Sequence, residues 1–244
     1  MKRTTILVLT IIITSAIAAS AEAIAKITRI EGKVSVLRKG SADWRDAKVT
    51  MPLEVGDQLY TREESFAEIR YAIGTVLRMD EKTKITLEAS TDKTVKTRNG
   101  IGDVWINMKK LLSKGREFDV TTHTAVAAIR GTIFQMKSEA DSTAEVSVFD
   151  GKVAVGPSDE LKKKTRQAKP AEQMEKPVEV PGPEEIPGPF EVSLEQWRDI
   201  VAGQKIDVRP DGKFKQEKFD LAAAAMGKFV KKNEALDKEM AGEK

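Results

Sequence analysis

The segment SFAEIRYAIGTVLRM, residues 65–79, decides the fold class of this chain. Alternating apolar or β-branched residues stand on both sides of Ile73-Gly74, a pair that is typical of a tight turn between two strands. The same arrangement recurs from about Lys26 to Val155, with turn signals such as Asp150-Gly151 between the runs. We therefore predict a mainly β domain that is built from many short strands.

The predicted strands share this pattern, and they cover residues 27–30, 34–36, 58–61, 66–72, 75–79, 84–88, 104–106, 117–121, 132–137, 145–149 and 153–155. Many short strands at close spacing are typical of an antiparallel β-sandwich, a jelly roll or a short β-solenoid, and all three stay open at this point. The predicted core consists of large apolar residues within or beside these strands, namely Trp44, Phe66, Leu77, Trp105, Phe118, Phe134 and Val148.

The amino-terminal segment has the three parts of a secretory signal. Lys2-Arg3 precedes an apolar block from Ile6 to Ile13, and small residues follow towards Ala23. We predict that residues 1–23 are a signal peptide, cleaved near Ala21, Ala23 or Ala25, and that the mature protein is periplasmic or secreted. The alternative is an uncleaved membrane anchor, because about 17 apolar residues can just span a bilayer. After cleavage, we expect no stable membrane span.

Beyond the predicted β domain, residues 24–156, the composition changes. Residues 157–190 are polar and rich in proline, which favours extended backbone, so we predict an exposed linker there. Residues 191–244 are predicted to form a carboxy-terminal segment with a short helix through Val201, a strand at 205–209 and an amphipathic helix from about Lys215 onward. The apolar side of that last helix needs a partner, which is its own domain, another protein or a membrane surface.

An ordered set of segments carries a family resemblance. The segments are IEGKV (30–34), LEVGDQL (53–59), SFAEI (65–69), GTVLRM (74–79), GDV (102–104), FDVTT (118–122), AVAAIRGTIF (125–134) and VSVFDGKVAV (146–155). Together they resemble the FecR domain family, named for an envelope regulator of iron-citrate uptake in bacteria. The family pattern usually has proline after the second threonine of FDVTT, where this chain has His123. The resemblance implies a β domain of the cell envelope with a binding or regulatory role.

The composition argues against several functional classes. The formal net charge of +3 is almost balanced and no basic face is evident, so nucleic acid is not an expected partner. The chain has one histidine, His123, and no cysteine, which excludes zinc sites of the Cys/His type. No nucleophile elbow or phosphate-binding loop occurs, and the four turn aspartates Asp57, Asp80, Asp103 and Asp150 lack the spacing of a calcium loop. We expect no enzyme activity, no catalytic residue, no metal and no cofactor.

The leading hypothesis is therefore an exported, non-enzymatic module that binds an envelope protein or a cell-wall component. The residues proposed for binding are large apolar side chains in the carboxy-terminal segment: Trp197, Phe219, Met226 and Phe229. One alternative is a periplasmic sensor of a FecR-type signalling system, although only three residues precede the apolar run. A second alternative is a carbohydrate- or peptidoglycan-binding module, for which Trp197 is the aromatic residue that the sequence predicts to be exposed.

Overall fold

The computed structural model describes residues 22–91, 94–108, 117–168 and 197–242. The predicted signal peptide lies outside the described residues except for Glu22 and Ala23, and so does most of the predicted linker. Within the described residues, no helix is both long and apolar enough to cross a membrane.

The described chain is mainly β, as the sequence predicted. Its strands are, in chain order, β1 (Ala25–Glu31), β2 (Val34–Leu37), β3 (Trp44–Asp46), β4 (Pro52–Leu53), β5 (Gln58–Thr61), β6 (Phe66–Tyr71), β7 (Val76–Met79), β8 (Lys84–Ser90), β9 (Thr94–Asn107), β10 (Glu117–Thr121), β11 (Ala125–Ile129), β12 (Ile133–Ser138), β13 (Ala144–Asp150), β14 (Lys152–Pro157), β15 (Arg198–Val201), β16 (Gln204–Val208) and β17 (Phe214–Lys218). Three helices follow the same numbering, α1 (Asp159–Ala168), α2 (Leu221–Ala224) and α3 (Lys228–Ala241).

The strands form two layers that share β9. Sheet A has the order β4-β1-β6-β7-β9-β12-β13-β16-β17, and sheet B has the order β3-β2-β5-β8-β9-β10-β11-β14-β15. All pairings are antiparallel except β9 with β10. The architecture is a β-sandwich, and the chain advances along both layers as it alternates between them, which is the progression of a solenoid.

Strand β9 crosses between the layers at a glycine. Its first part, up to Ile101, pairs with β8 and β10 in sheet B, whereas residues from Gly102 onward pair with β7 and β12 in sheet A. Gly102 has a φ of +92°, and a Cβ at this position would collide with the backbone and side chain of Thr83. Glycine is therefore required at this crossover.

One apolar core fills the space between the layers. It joins buried side chains of sheet A, such as Ile27, to side chains of sheet B, such as Val36. The Tyr71 ring of sheet A meets the Phe118 ring of sheet B edge to face at 4.8 Å, and the Tyr71 hydroxyl shares a 2.6 Å hydrogen bond with the hydroxyl of Thr97. These contacts fix the two layers against each other.

Six of the seven predicted core residues are buried, but Trp44 is not. Trp44 is 39% exposed because β3 is a three-residue strand at the edge of sheet B and this side chain lies on its outer side. Phe66 and Trp105 are buried in a second cluster, under α3, rather than between the layers. Burial of these two residues thus depends on the carboxy-terminal helix.

The carboxy-terminal segment differs from its prediction in two places. Strand β15 lies where the short helix through Val201 was predicted, because the edge of β14 is available for pairing. Strand β17 occupies the start of the predicted amphipathic helix, which begins only at α2 and continues as α3. The predicted strand at 205–209 is confirmed as β16, and α1 forms at the start of the predicted linker.

Candidate functional site

The outer side of sheet A carries the candidate functional site, because α2 and α3 pack on it and leave a groove beside them. Aromatic side chains link the two helices to the sheet. Phe229 of α3 meets Phe66 edge to face at 6.5 Å, and Phe219, just before α2, meets Phe149 at 5.4 Å. Phe149 in turn lies 4.7 Å from Trp105, so the rings form a nearly continuous aromatic layer.

A buried ionic cluster fixes α3 to the sheet. Arg78 is 1% exposed, and it donates from Nε to Glu68 of the neighbouring strand at 2.7 Å and from a terminal nitrogen to Asp237 of α3 at 2.5 Å. The indole nitrogen of Trp105 donates to the other oxygen of Asp237 at 2.9 Å. A buried cation is tolerated only with such partners, so α3 completes the environment that Arg78 requires.

Glu68 is kept ionised within this cluster. Burial raises the pKa of its carboxyl, but hydrogen bonds from Thr28 and Arg78 outweigh burial, and the pKa stays below its usual value. The hydroxyl of Thr28 donates at 2.6 Å. The Arg78–Glu68 pair is therefore charged at neutral pH, and this pair belongs to the sheet itself.

Weaker contacts surround the buried cluster. Lys232 of α3 pairs with Glu31 at 2.7 Å and places its ammonium group 3.6 Å from the centre of the Phe66 ring. Arg29 and Glu239 approach to 3.8 Å, with both side chains largely exposed. Exposed pairs of this kind contribute little to stability, so they add little to the free energy that holds α3 on the sheet.

A groove of about 360 Å³ lies beside α3, between sheet A and α2. Its apolar side is formed by Phe149, Phe219, Ala223, Ala224 and Val230, and its polar side by Gln135, Glu145, Ser147, Lys205 and Asp220. Lys205 and Glu145 form an ion pair of 2.8 Å on the floor of the groove. This volume lies within the range of pockets that hold a small molecule or a few side chains.

Asp103 is bound to the groove residue Gln135, and the pKa of its carboxyl is raised. Its Oδ2 accepts a 2.6 Å hydrogen bond from Gln135, whereas its buried Oδ1 has no partner among the described residues. Burial, reinforced by the charges of Asp80 and Glu145, raises the pKa of Asp103 to about 7, although Gln135 and Lys137 act in the opposite direction. The carboxyl is thus neutral below neutral pH and charged above it.

The structure places the four binding residues predicted from the sequence in four different environments. Phe219 lines the groove, and Met226, in the turn between α2 and α3, is 84% exposed. Phe229 is only 8% exposed because it packs under α3. Trp197 is half-buried against Gly156, where a Cβ would collide with the indole ring. Only Phe219 and Met226 therefore border the groove or the surface next to it.

His123 and the turn residue Asp57 both take part in hydrogen bonds that stabilise loops. His123 is exposed in the turn before β11, and its backbone carbonyl accepts a hydrogen bond from Ser158. Asp57 binds Arg38 at 2.6 Å and the backbone nitrogens of Lys39 and Glu54. In the described part of the chain, no three acidic or histidine side chains are placed to hold a metal ion.

The sequence did not single out Arg78, Glu68 or Asp237 as functional. Arg78 and Asp237 are 159 positions apart, so no local pattern links them. The only available signal was an arginine within a strand whose neighbours are apolar, since such a cation needs a partner from elsewhere in the chain.

Comparisons with known proteins found two solved structures and one family model. Two crystal structures of a candidate anti-sigma factor from Parabacteroides distasonis align over 69% of this chain, with TM-scores of 0.48 and 0.46 and sequence identities of 16% and 17%. The chain spans 63% and 62% of the length of those proteins. Among curated proteins no sequence matches significantly. Residues 57–154 match the family model described as FecR protein, and the chain therefore contains a FecR domain.

Proposed function

We propose that this chain is an exported, non-enzymatic binding protein of the cell envelope that engages another protein at the α2–α3 turn. The observation that carries this proposal is the position of Met226, which is 84% exposed and stands between the groove residues Ala224 and Val230. A flexible apolar side chain that is held beside an open groove is suited to insertion into a partner.

The surface around Met226 supports the same function. Leu221 of α2 is 40% exposed, so two large apolar side chains protrude from one short stretch of chain. The groove beside them offers the aromatic rings of Phe149 and Phe219 to an incoming side chain and the Lys205–Glu145 pair to its polar atoms. An apolar centre with a polar rim is the usual composition of a protein interface.

A photo-cross-linking residue placed at position 226 tests this function in cells. We expect one discrete cross-linked partner from the envelope fraction, and we expect Phe219→Ser in the same chain to reduce its yield. The matched control places the cross-linker at Val49, which is 48% exposed in the turn before β4 and remote from the groove. The intact mass of the purified protein reports whether the signal peptide is removed near Ala21, Ala23 or Ala25.

Equal cross-linking from positions 226 and 49, or none from position 226, contradicts the proposal.

The FecR domain favours a second candidate, a periplasmic component of a FecR-type signalling system. The identity of the cross-linked protein separates the two, because a signalling component captures a membrane-bound regulator or receptor, whereas a structural module captures a scaffold protein of the envelope.

A further inference from the structure

The outer side of sheet B, opposite the groove, carries an exposed aromatic and cationic surface. Trp44 is 39% exposed, and its ring meets the half-exposed Tyr60 ring edge to face at 6.3 Å. The ammonium group of Lys84 lies 5.5 Å from the centre of the Trp44 ring, and the guanidinium carbon of Arg62 lies 5.2 Å from the centre of the Tyr60 ring. We call these four residues the aromatic platform.

Strand register places residues of five neighbouring strands in one row across sheet B. Asp46, Ser35, Tyr60, Lys84 and Ile101 are successive partners across β3, β2, β5, β8 and β9. Four spacings between neighbouring strands give this row a length of about 19 Å. Trp44 lies two residues from Asp46 on the same strand and hence on the same side of the sheet. The platform is therefore part of an extended open surface rather than a pocket.

The cations of the platform are available to a ligand. Among the residues that the structure describes, neither Lys84 nor Arg62 takes part in a salt bridge, and the nearby Glu63 is paired with Lys82 at 2.9 Å. Asp46 likewise has no ion pair within the described chain and lies at the far end of the row. The surface thus combines aromatic rings, two cationic groups that lie beside those rings without a salt bridge among the described residues, and one carboxylate without an ion pair there.

We propose that the aromatic platform binds a glycan that carries carboxylate groups. Sugar rings present apolar C–H faces that pack on the faces of tryptophan and tyrosine. Arg62 and Lys84 suit the carboxylates, and Asp46 accepts hydrogen bonds from sugar hydroxyls. This combination favours an acidic polysaccharide over a polypeptide made of acidic residues alone, because glutamate side chains present no ring-shaped C–H face to the aromatic platform. The proposal concerns sheet B alone and does not depend on the partner of the α2–α3 turn.

Isothermal titration calorimetry on the full mature chain tests this inference with alginate oligosaccharides as the probe. We expect measurable binding that weakens as salt rises, with no binding of the neutral dextran oligosaccharides. Trp44→Ala should weaken alginate binding about tenfold or more, and Lys84→Gln should both weaken it and reduce its salt dependence.

The matched control is Trp197→Ala, which removes the other partly exposed tryptophan and should leave alginate binding unchanged. Thermal unfolding of each variant checks that the sandwich is intact, and Lys84→Gln preserves the test if Trp44→Ala does not fold. Absence of alginate binding, equal binding of dextran, equal binding of poly-glutamate, or loss of binding in Trp197→Ala instead of Trp44→Ala overturns the proposal. Equal binding of poly-glutamate points instead to an acidic protein at this surface.

Discussion

Asp103, which accepts a hydrogen bond from the groove residue Gln135, has a carboxyl whose charge changes near neutral pH. Its carboxyl is held at the end of the β9 crossover, with Gln135 on one oxygen and no described partner on the other. The charges that face it come from Asp80, Lys137 and Glu145. Because burial raises its pKa to about 7 from 3.8, the folded protein binds a proton here between these values that the unfolded chain does not bind.

We predict that Asp103→Asn stabilises the protein at alkaline pH. A raised folded-state pKa means that stability falls as pH rises from about 4 to 7, and the amide removes this loss. The variant should exceed the parent by on the order of 2–4 kcal/mol in free energy of unfolding at pH 8.5. Urea unfolding at pH 5 and pH 8.5 provides the measurement. A difference between the two proteins that is the same at both pH values contradicts the assigned protonation.

Individual side chains show which positions could be predicted from the sequence and which could not. Phe118, Phe134 and Val148 are buried as predicted, because their alternation within strands already placed them on the inner side. Trp44 lies outside the predicted strands and belongs to β3 at the edge of sheet B, and the order of strands in a sheet is not visible in the local sequence. Arg78 is buried by a helix that follows it by more than a hundred residues, so its role required the tertiary structure.

At the scale of the element, α3 is the part of the chain that depends most on the rest. It begins after Gly227 without a side-chain cap, and it ends at Gly242 in the left-handed conformation. A helix of 14 residues is marginal in water by itself. Its docking on Phe66, Trp105 and the Arg78 cluster therefore supplies most of its stability.

We predict that Asp237→Ala loosens α3 while the sandwich stays folded. Arg78 keeps Glu68 and a longer hydrogen bond of 3.3 Å to the carbonyl oxygen of Asn233, but it loses the carboxylate on the helix, and the Trp105 indole loses its acceptor. Hydrogen exchange of the α3 amides should accelerate, corresponding to about 2–3 kcal/mol less protection. The matched control is Glu239→Ala on the same helix, whose exposed pair with Arg29 should matter little. Equal acceleration in both variants, or none in Asp237→Ala, contradicts the role of the buried cluster.

Elements whose neighbours decide their conformation were predicted least well. The strands from residue 26 to 155 follow from apolar alternation and turn residues, which are local signals. Strands β15 and β17 are short and polar, and Phe214–Lys218 alone has no clear apolar side. They become strands because the edges of β14 and β16 offer unpaired backbone groups. The groove also escaped prediction, since it exists only where α2 meets sheet A.

At the scale of the whole molecule, the described carboxy-terminal segment is continuous with the FecR domain. Strand β15 extends sheet B, whereas β16 and β17 extend sheet A, so this one segment supplies the last strand of both layers. The groove and the aromatic platform then lie on opposite outer sides of one sandwich. A protein and a glycan bound at these two surfaces, as proposed above, would not compete for space, and one molecule would then link them.

We predict that the sandwich and its carboxy-terminal strands unfold as one cooperative unit. Ile200, Ile206 and Val208 are fully buried in the same core as the strands of the family match. Separating β15–β17 from that core would expose these three side chains and the inner edge of both layers, so a partly unfolded state is costly.

Calorimetry of the mature chain should give a single transition whose calorimetric and van't Hoff enthalpies agree. Ile206→Ala should lower that one transition by the equivalent of about 2–4 kcal/mol, with Val201→Ala, an exposed neighbour, as the control. Two separable transitions, with only the weaker one moved by Ile206→Ala, contradict a shared core.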